Sequence, residues 1–207
     1  MFADKPVSDF LAQLASSAPT PGGGSVAALA GALAAGLESM VCNLTLGKEK
    51  YQAVQEDITA LLAESESRRL KLVDLIEKDV EAYGHLAASF KMPRSTDAEK
   101  QERAAAIQRA VRGATEAPLS IAEVCAELVD LCPPLVEKGN TNAVSDVGVA
   151  VLLAEAALRS ALLNVMINLP SIKDEAFAAE VRQRMDRVTQ GKAELKERVM
   201  KDVQAKL

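Results

Sequence analysis

Four groups of residues in this sequence could do chemistry. The first is Asp79, in the stretch EKDVEAY, at the flank of an apolar stripe between Ile76 and Tyr83. A carboxylate so placed is partly desolvated, which raises its pKa and suits it to move a proton. Ser65 and Arg69 interrupt the same stripe, so position alone does not separate a catalytic group from an ordinary polar one. The second group is Gly22-Gly23-Gly24-Ser25, in PTPGGGSVAA. Glycines ahead of a helix leave backbone N–H groups free to face a ligand, with the positive end of the helix dipole behind them. The same residues also make a tight turn that lets two helices cross closely. The third is GNTNAVSD, which holds Asn140 and Asp146 at a helix start. Such residues are preferred helix caps, but here they exceed what one cap uses. The fourth is NVMIN, where Asn164 and Asn168 stand four apart on one helix face. Amides on a buried helix need partners.

Several motifs carry less than they first suggest. Gly22-x-Gly24-x-x-Ala27 fits the dinucleotide fingerprint literally, but that fingerprint needs a preceding strand, and SSAPTP is not one. Gly47-Lys48-Glu49 lacks the upstream glycine and the Ser/Thr of a phosphate loop. His85 is the one histidine, near a helix end, and reads as a surface residue. Cys42, Cys125 and Cys132 have no C-x-x-C spacing and, with one histidine, form no metal cluster. They read as small buried hydrophobes in a reducing, cytoplasmic setting. No metal and no cofactor is expected.

The elements that must position these groups are helices. Aromatic residues make up 3% of the chain and Trp is absent, so Ala, Leu, Val, Ile and Met must build the core. We expect an all-α multihelical bundle with buried central helices, as a single domain over 1–207. The pattern predicts a short helix over Val7–Ala15 with Ser8 as a cap, then Ser25–Leu46 stopping at Gly47, then a long amphipathic helix over Gln52–Phe90. Thr96-Asp97-Ala98-Glu99 is a capping box for the next helix. Pro118 is expected to kink or restart that helix, and Pro133-Pro134 to break or bend it. Val144–Asn168 is apolar nearly all round and should be central. A polar last helix over Glu175–Lys206 should lie outside.

Net charge is −5 with the signs well mixed, which leaves no footprint for nucleic acid. Two apolar windows, 10–37, which is uncharged, and 147–169, are checked as membrane spans. Prolines and glycines break the first, and Glu155 and Arg159 form an i, i+4 pair in the second. Both read as core helices, and the start of the chain lacks the pattern of a signal peptide.

Taken in order, PTPGGGSVAA, SMVCNLTLGK, EKDVEAY, APLSIAE, GNTNAVSD and NVMINL resemble the C-terminal domain of the formimidoyltransferase-cyclodeaminases. The standalone bacterial methenyltetrahydrofolate cyclohydrolases belong to the same family. The resemblance runs from about Phe10 to Phe177. It implies an all-helical homodimer that acts on one-carbon units carried by tetrahydrofolate, without a metal. The matching positions are Gly22, Gly23, Gly24, Ser25, Lys48, Asp79, Asn140, Asp146, Asn164 and Asn168. The resemblance assigns Asp79 and Asp146 as candidate catalytic carboxylates, Asp79 preferred as the base. Asn140, Asn164 and Asn168 would bind the pterin edge, Lys48 the anionic glutamate tail, and the glycine turn would let the ligand lie against backbone.

Two reactions fit. One opens 5,10-methenyltetrahydrofolate with water to give 10-formyltetrahydrofolate. The other closes 5-formimidoyltetrahydrofolate to the methenyl form and expels ammonia. The 207 residues hold no fused transferase domain, which favours the cyclohydrolase with the cyclodeaminase as the alternative. A non-catalytic helical dimer or binding module is the rival of another class. Polar residues built into the two most apolar helices speak against it, because they cost stability unless they serve something.

Overall fold

Long runs of Ala and Leu lose little side-chain freedom in a helix, and helices joined by short turns make up the described residues. The structure is a computed structural model that describes residues 2–207, so residue 1 of the expected domain lies outside it; no strand occurs among the described residues. The helices are α1 (Val7–Leu14), α2 (Gly23–Asn43), α3 (Gln55–Phe90), α4 (Asp97–Lys138), α5 (Val144–Asn168), α6 (Glu175–Thr189) and α7 (Lys192–Gln204).

Four of them form an up-down-up-down bundle, and side-chain pairs give the directions. Ser25 meets Asp79 and Glu38 meets Ser65, so α2 and α3 are antiparallel. Gly31 lies on Cys125 and Glu38 on Cys132, so α2 and α4 run parallel across the bundle diagonal. Asn140 joins Leu44, and Gly23 faces Asn164, so α5 is antiparallel to α2. Ala27, Ala28, Gly31, Ala32 and Ala35 are all buried, and these small residues let the helices approach closely. Gly36, which continues the Ala28–Ala32 row at a spacing of four, faces open space instead. On the outside, α6 is tied to α4 by Arg184, which pairs with Glu116 and Glu123. Val203 of α7 seats against Gly148 of α5.

Several boundaries differ from those the pattern predicts. α2 starts at Gly23, two residues earlier, and ends at Asn43, while Gly47 takes a positive φ of 72° in the turn beyond. A 3-10 turn over Glu49–Val54 precedes α3. Ser8 lies inside α1, whose N-cap is Pro6. The capping box at Thr96 and Glu99 is present. α4, however, runs unbroken through Pro118, Pro133 and Pro134. A proline lacks the N–H that would reach back to the carbonyl four residues earlier. For Pro118 that carbonyl is Ala114, and Asn168 Nδ2 donates to it at 2.8 Å. The expected last helix is two, because Gly191 with φ of 72° turns the chain between α6 and α7.

α2 and the α5 region are long and apolar enough to cross a membrane by length and composition. In the bundle 61% of the α2 window and 44% of the α5 window are buried, so both serve as core helices. One face of each stays uncovered in the single chain, with Leu33 56% and Leu163 66% exposed.

Candidate active site

The N-terminus of α2 meets the middle of α3 and the C-terminus of α5, and a cavity of about 320 Å³ opens there. Gly22–Gly24, Asp79, Tyr83, Pro118, Asn164 and Asn168 are among its lining residues. At its floor the Ser25 hydroxyl donates to Asp79 Oδ2 at 2.8 Å. Burial pushes the Asp79 carboxyl above its ordinary value, and the Ser25 hydroxyl and backbone N–H hold it partly back. A carboxylate at the first turn of a helix also gains from the free N–H groups there.

The glycines have a steric reason. A Cβ on Gly24 would lie 2.1 Å from Asp79 Oδ1, and one on Gly23 would lie 3.1 Å from the Asn164 amide. None of the three takes a positive φ. Close approach, rather than an unusual backbone angle, is what the turn requires, and the group that approaches Gly24 is the protein's own carboxylate.

Asn164 and Asn168 are both anchored through their amide nitrogens to main-chain carbonyls. Asn164 Nδ2 donates to the Ser160 carbonyl at 2.9 Å, and Asn168 Nδ2 donates to the carbonyls of Ala114 and Asn164. Their Oδ1 atoms accept nothing from the described residues, so both remain free to accept N–H groups from a heterocycle. Tyr83 lies one helical turn beyond Asp79 and is the one aromatic ring in the lining. The pattern placed Tyr83 only in an apolar stripe. Its i, i+4 spacing from Asp79 was the signal that could have added it to the site.

The other three expected residues sit elsewhere. Lys48 is exposed beyond the far end of α2, and Asn140 and Asp146 flank the start of α5. From Asp146 to Asn164 the helix rise alone spans about 27 Å. Asn140 acts as a joint at that end. Its N–H donates to Thr45 Oγ1, its Nδ2 to the Leu44 carbonyl, and its Oδ1 accepts from Asn142 N–H. His85 is exposed outside the cavity, and the three cysteines are buried and free. Among the described residues no three His, Cys, Asp or Glu side chains converge in a way that would hold a metal ion.

The family profile described as formiminotransferase-cyclodeaminase matches residues 6–187. The chain belongs to that family. It is 46% identical over 207 residues to a methenyltetrahydrofolate cyclohydrolase of Methylorubrum extorquens, covering the whole of both chains. It is 35% identical over 186 residues to the formimidoyltransferase-cyclodeaminase of Sus scrofa, covering 90% of this chain and 34% of that one. Its fold matches the crystal structure of formiminotetrahydrofolate cyclodeaminase from Thermotoga maritima with a TM-score of 0.88, at 30% identity over 99% of this chain and 98% of the other. The family member is thus an all-α enzyme whose glycine turn, Asp79 and paired asparagines share one cavity.

Proposed function

We propose that the protein hydrolyses 5,10-methenyltetrahydrofolate to 10-formyltetrahydrofolate. The observation that carries this reading is the full-length 46% identity to a methenyltetrahydrofolate cyclohydrolase, met by a cavity whose one carboxylate is half-buried beside a helix N-terminus. The methenyl carbon bridges N5 and N10 as a cationic amidinium. Asp79 stabilises that cation and takes a proton from the attacking water as the oxygen–carbon bond forms. It then returns that proton to N5 as the carbon–N5 bond breaks. The remaining hydroxyl proton leaves to solvent as the formyl carbonyl forms, so one proton is released overall. The free Oδ1 atoms of Asn164 and Asn168 accept N–H groups of the pterin, and the glycine turn lets the ring lie close. The step uses no metal and no cofactor.

Cyclodeamination of 5-formimidoyltetrahydrofolate is the second reading, favoured by the fold match to the Thermotoga enzyme. Both reactions pass through a tetrahedral carbon at the same position. A homodimer and a cytoplasmic setting complete the proposal. The uncovered apolar faces of α2 and α5 support the first, and the three free cysteines support the second.

The methenyl form absorbs near the visible, which gives a direct test. Loss of that absorbance on adding protein marks the cyclohydrolase, and its appearance from the formimidoyl compound marks the cyclodeaminase. No change with either compound would overturn both and leave a binding module.

A further inference from the structure

Ser25 is fully buried in the first turn of α2, and among the described residues its hydroxyl has one partner, the Asp79 carboxyl. Hydroxyls on helices commonly bond back to their own helix. Those of Thr59, Thr115 and Ser160 do so here, each to the carbonyl four residues earlier. Ser25 instead reaches across to α3. Ser65 also reaches a carboxyl on another helix, that of Glu38, but both members of that pair are fully buried in the core. Asp79 lines the cavity, while Ser25 does not. The carboxyl therefore stands between the hydroxyl and the space that a ligand would fill, and burial keeps Ser25 out of a ligand's reach.

A hydroxyl suits a partner that gains and loses a proton. A backbone N–H only donates, so it favours the carboxylate form alone. A hydroxyl donates to a carboxylate and, by turning about its C–O bond, accepts from a carboxylic acid. In the proposed hydrolysis Asp79 is a carboxylate before water attacks and an acid until the proton reaches N5, so it needs a partner in both forms. No charged side chain competes for this control. The described residues that line the cavity come from α2, the turn before it, α3, α4 and α5, and Tyr83 is the one other titratable group among them. Burial raises the Asp79 pKa, and the two donors of Ser25 lower it.

We infer that Ser25 is a positioning residue for the proton transfer: its hydroxyl holds the Asp79 carboxyl at the cavity floor and turns from donor to acceptor as that carboxyl takes the proton from water. The serine keeps its own proton throughout, and the transferred one goes from water to Asp79 to N5. This rests on the reading of Asp79 as the base of the folate reaction.

Removing the hydroxyl and following the acid limb of kcat/KM with 5,10-methenyltetrahydrofolate tests the role, since that limb reports the free enzyme. The hydroxyl stabilises the ionised carboxyl. Ser25→Ala should therefore move the limb to higher pH by about one unit. Above the limb kcat should fall about tenfold, because the reacting group is less well placed, with KM nearly kept. Ser25→Thr keeps the hydroxyl and should keep the limb near its wild-type place. Circular dichroism and thermal melts check the fold. Ser25→Cys carries a weaker donor, should move the limb in the same direction as Ser25→Ala, and stands in for it if that variant does not fold. A limb that moves as far in Ser25→Thr as in Ser25→Ala would overturn the role. So would an unmoved limb with a raised KM, the mark of a hydroxyl that binds substrate, or an unmoved limb with unchanged rates. Carbon-13 NMR of the Asp79 carboxyl, identified by its loss in Asp79→Asn, repeats the titration without substrate and should show the same upward shift in Ser25→Ala. That shift in a protein inactive on both folate compounds would remove the folate reading and leave Ser25 as the residue that sets this carboxyl. No shift would overturn the role of Ser25 whatever the activity.

Discussion

The Asp79 carboxylate lies so close over Gly24 that a methyl group on that glycine would come within 2.1 Å of Oδ1. Nothing larger than hydrogen fits between α2 and α3 at this point. The pair therefore fixes both the start of α2 and the place from which a proton can be moved.

Gly24→Ala should leave the helical content intact and lower turnover by about a hundredfold, because displacing a reacting group by about 1 Å costs that much. Circular dichroism and steady-state rates check it. Normal turnover would show that the carboxylate need not stay where the structure places it.

Asp79→Asn should lower kcat by at least about a hundredfold, the usual contribution of a general acid–base group, with a far smaller change in KM. Asp146→Asn is the control, since Asn caps a helix as well as Asp and activity should persist. A raised KM with kcat retained in the Asp79 variant would reassign the carboxylate to holding the pterin. The pH profile adds a second readout. A base must be ionised, and burial raises the Asp79 pKa above its ordinary 3.8. The wild-type rate should thus fall on the acid side around a pKa higher than that value, and the fall should be absent from the residual rate of Asp79→Asn.

How much of this was legible in the sequence depends on the range of the interaction. The bounds of α5 and the capping box at Thr96 follow from local residue choice and agree with the structure. The flank position of Asp79 follows from helical period. The continuity of α4 through Pro118 does not, because its rescue comes from Asn168, fifty-four residues along the chain from the Ala114 carbonyl that it serves. The motif pattern grouped Lys48, Asn140 and Asp146 with Asp79, yet α5 separates the two sets by its own length. Residue order carries no such distance.

The Pro118 rescue can be tested alone. Asn168→Ala leaves the Ala114 carbonyl without its side-chain donor and should destabilise the fold by about 1–3 kcal/mol in urea unfolding. Pro118→Ala restores a backbone N–H four residues beyond Ala114. In that background Asn168→Ala should cost clearly less, and the difference is the coupling of the pair. Additive costs would mean that Asn168 supports the helix in some other way.

Glu38 gives the last prediction. It is fully buried in the C-terminal half of α2, where Ser65 Oγ donates to Oε2 at 3.1 Å and Cys132 Sγ to Oε1 at 3.5 Å. Burial pushes its pKa up from 4.5 to about 8, against smaller lowering effects from Cys132, Ser65 and Arg68. The folded protein therefore keeps a proton on Glu38 at pH 7 that the unfolded chain has lost. Stability changes with pH in proportion to protons bound unfolded minus protons bound folded. That difference is negative between pH 4.5 and about 8, so the Glu38 contribution is fully present below this window and is lost as pH rises through it. Glu38→Gln stays neutral at every pH and nearly keeps the shape. Its Tm should lie close to wild type at pH 4.5 and move above it by several degrees at pH 8, since about 1 kcal/mol shifts Tm by 2–4 °C in a domain of this size. Thermal melts of both proteins across that range measure it. A Tm difference that does not change with pH would mean that Glu38 binds the same number of protons folded and unfolded, and that the buried carboxyl is ionised within the core.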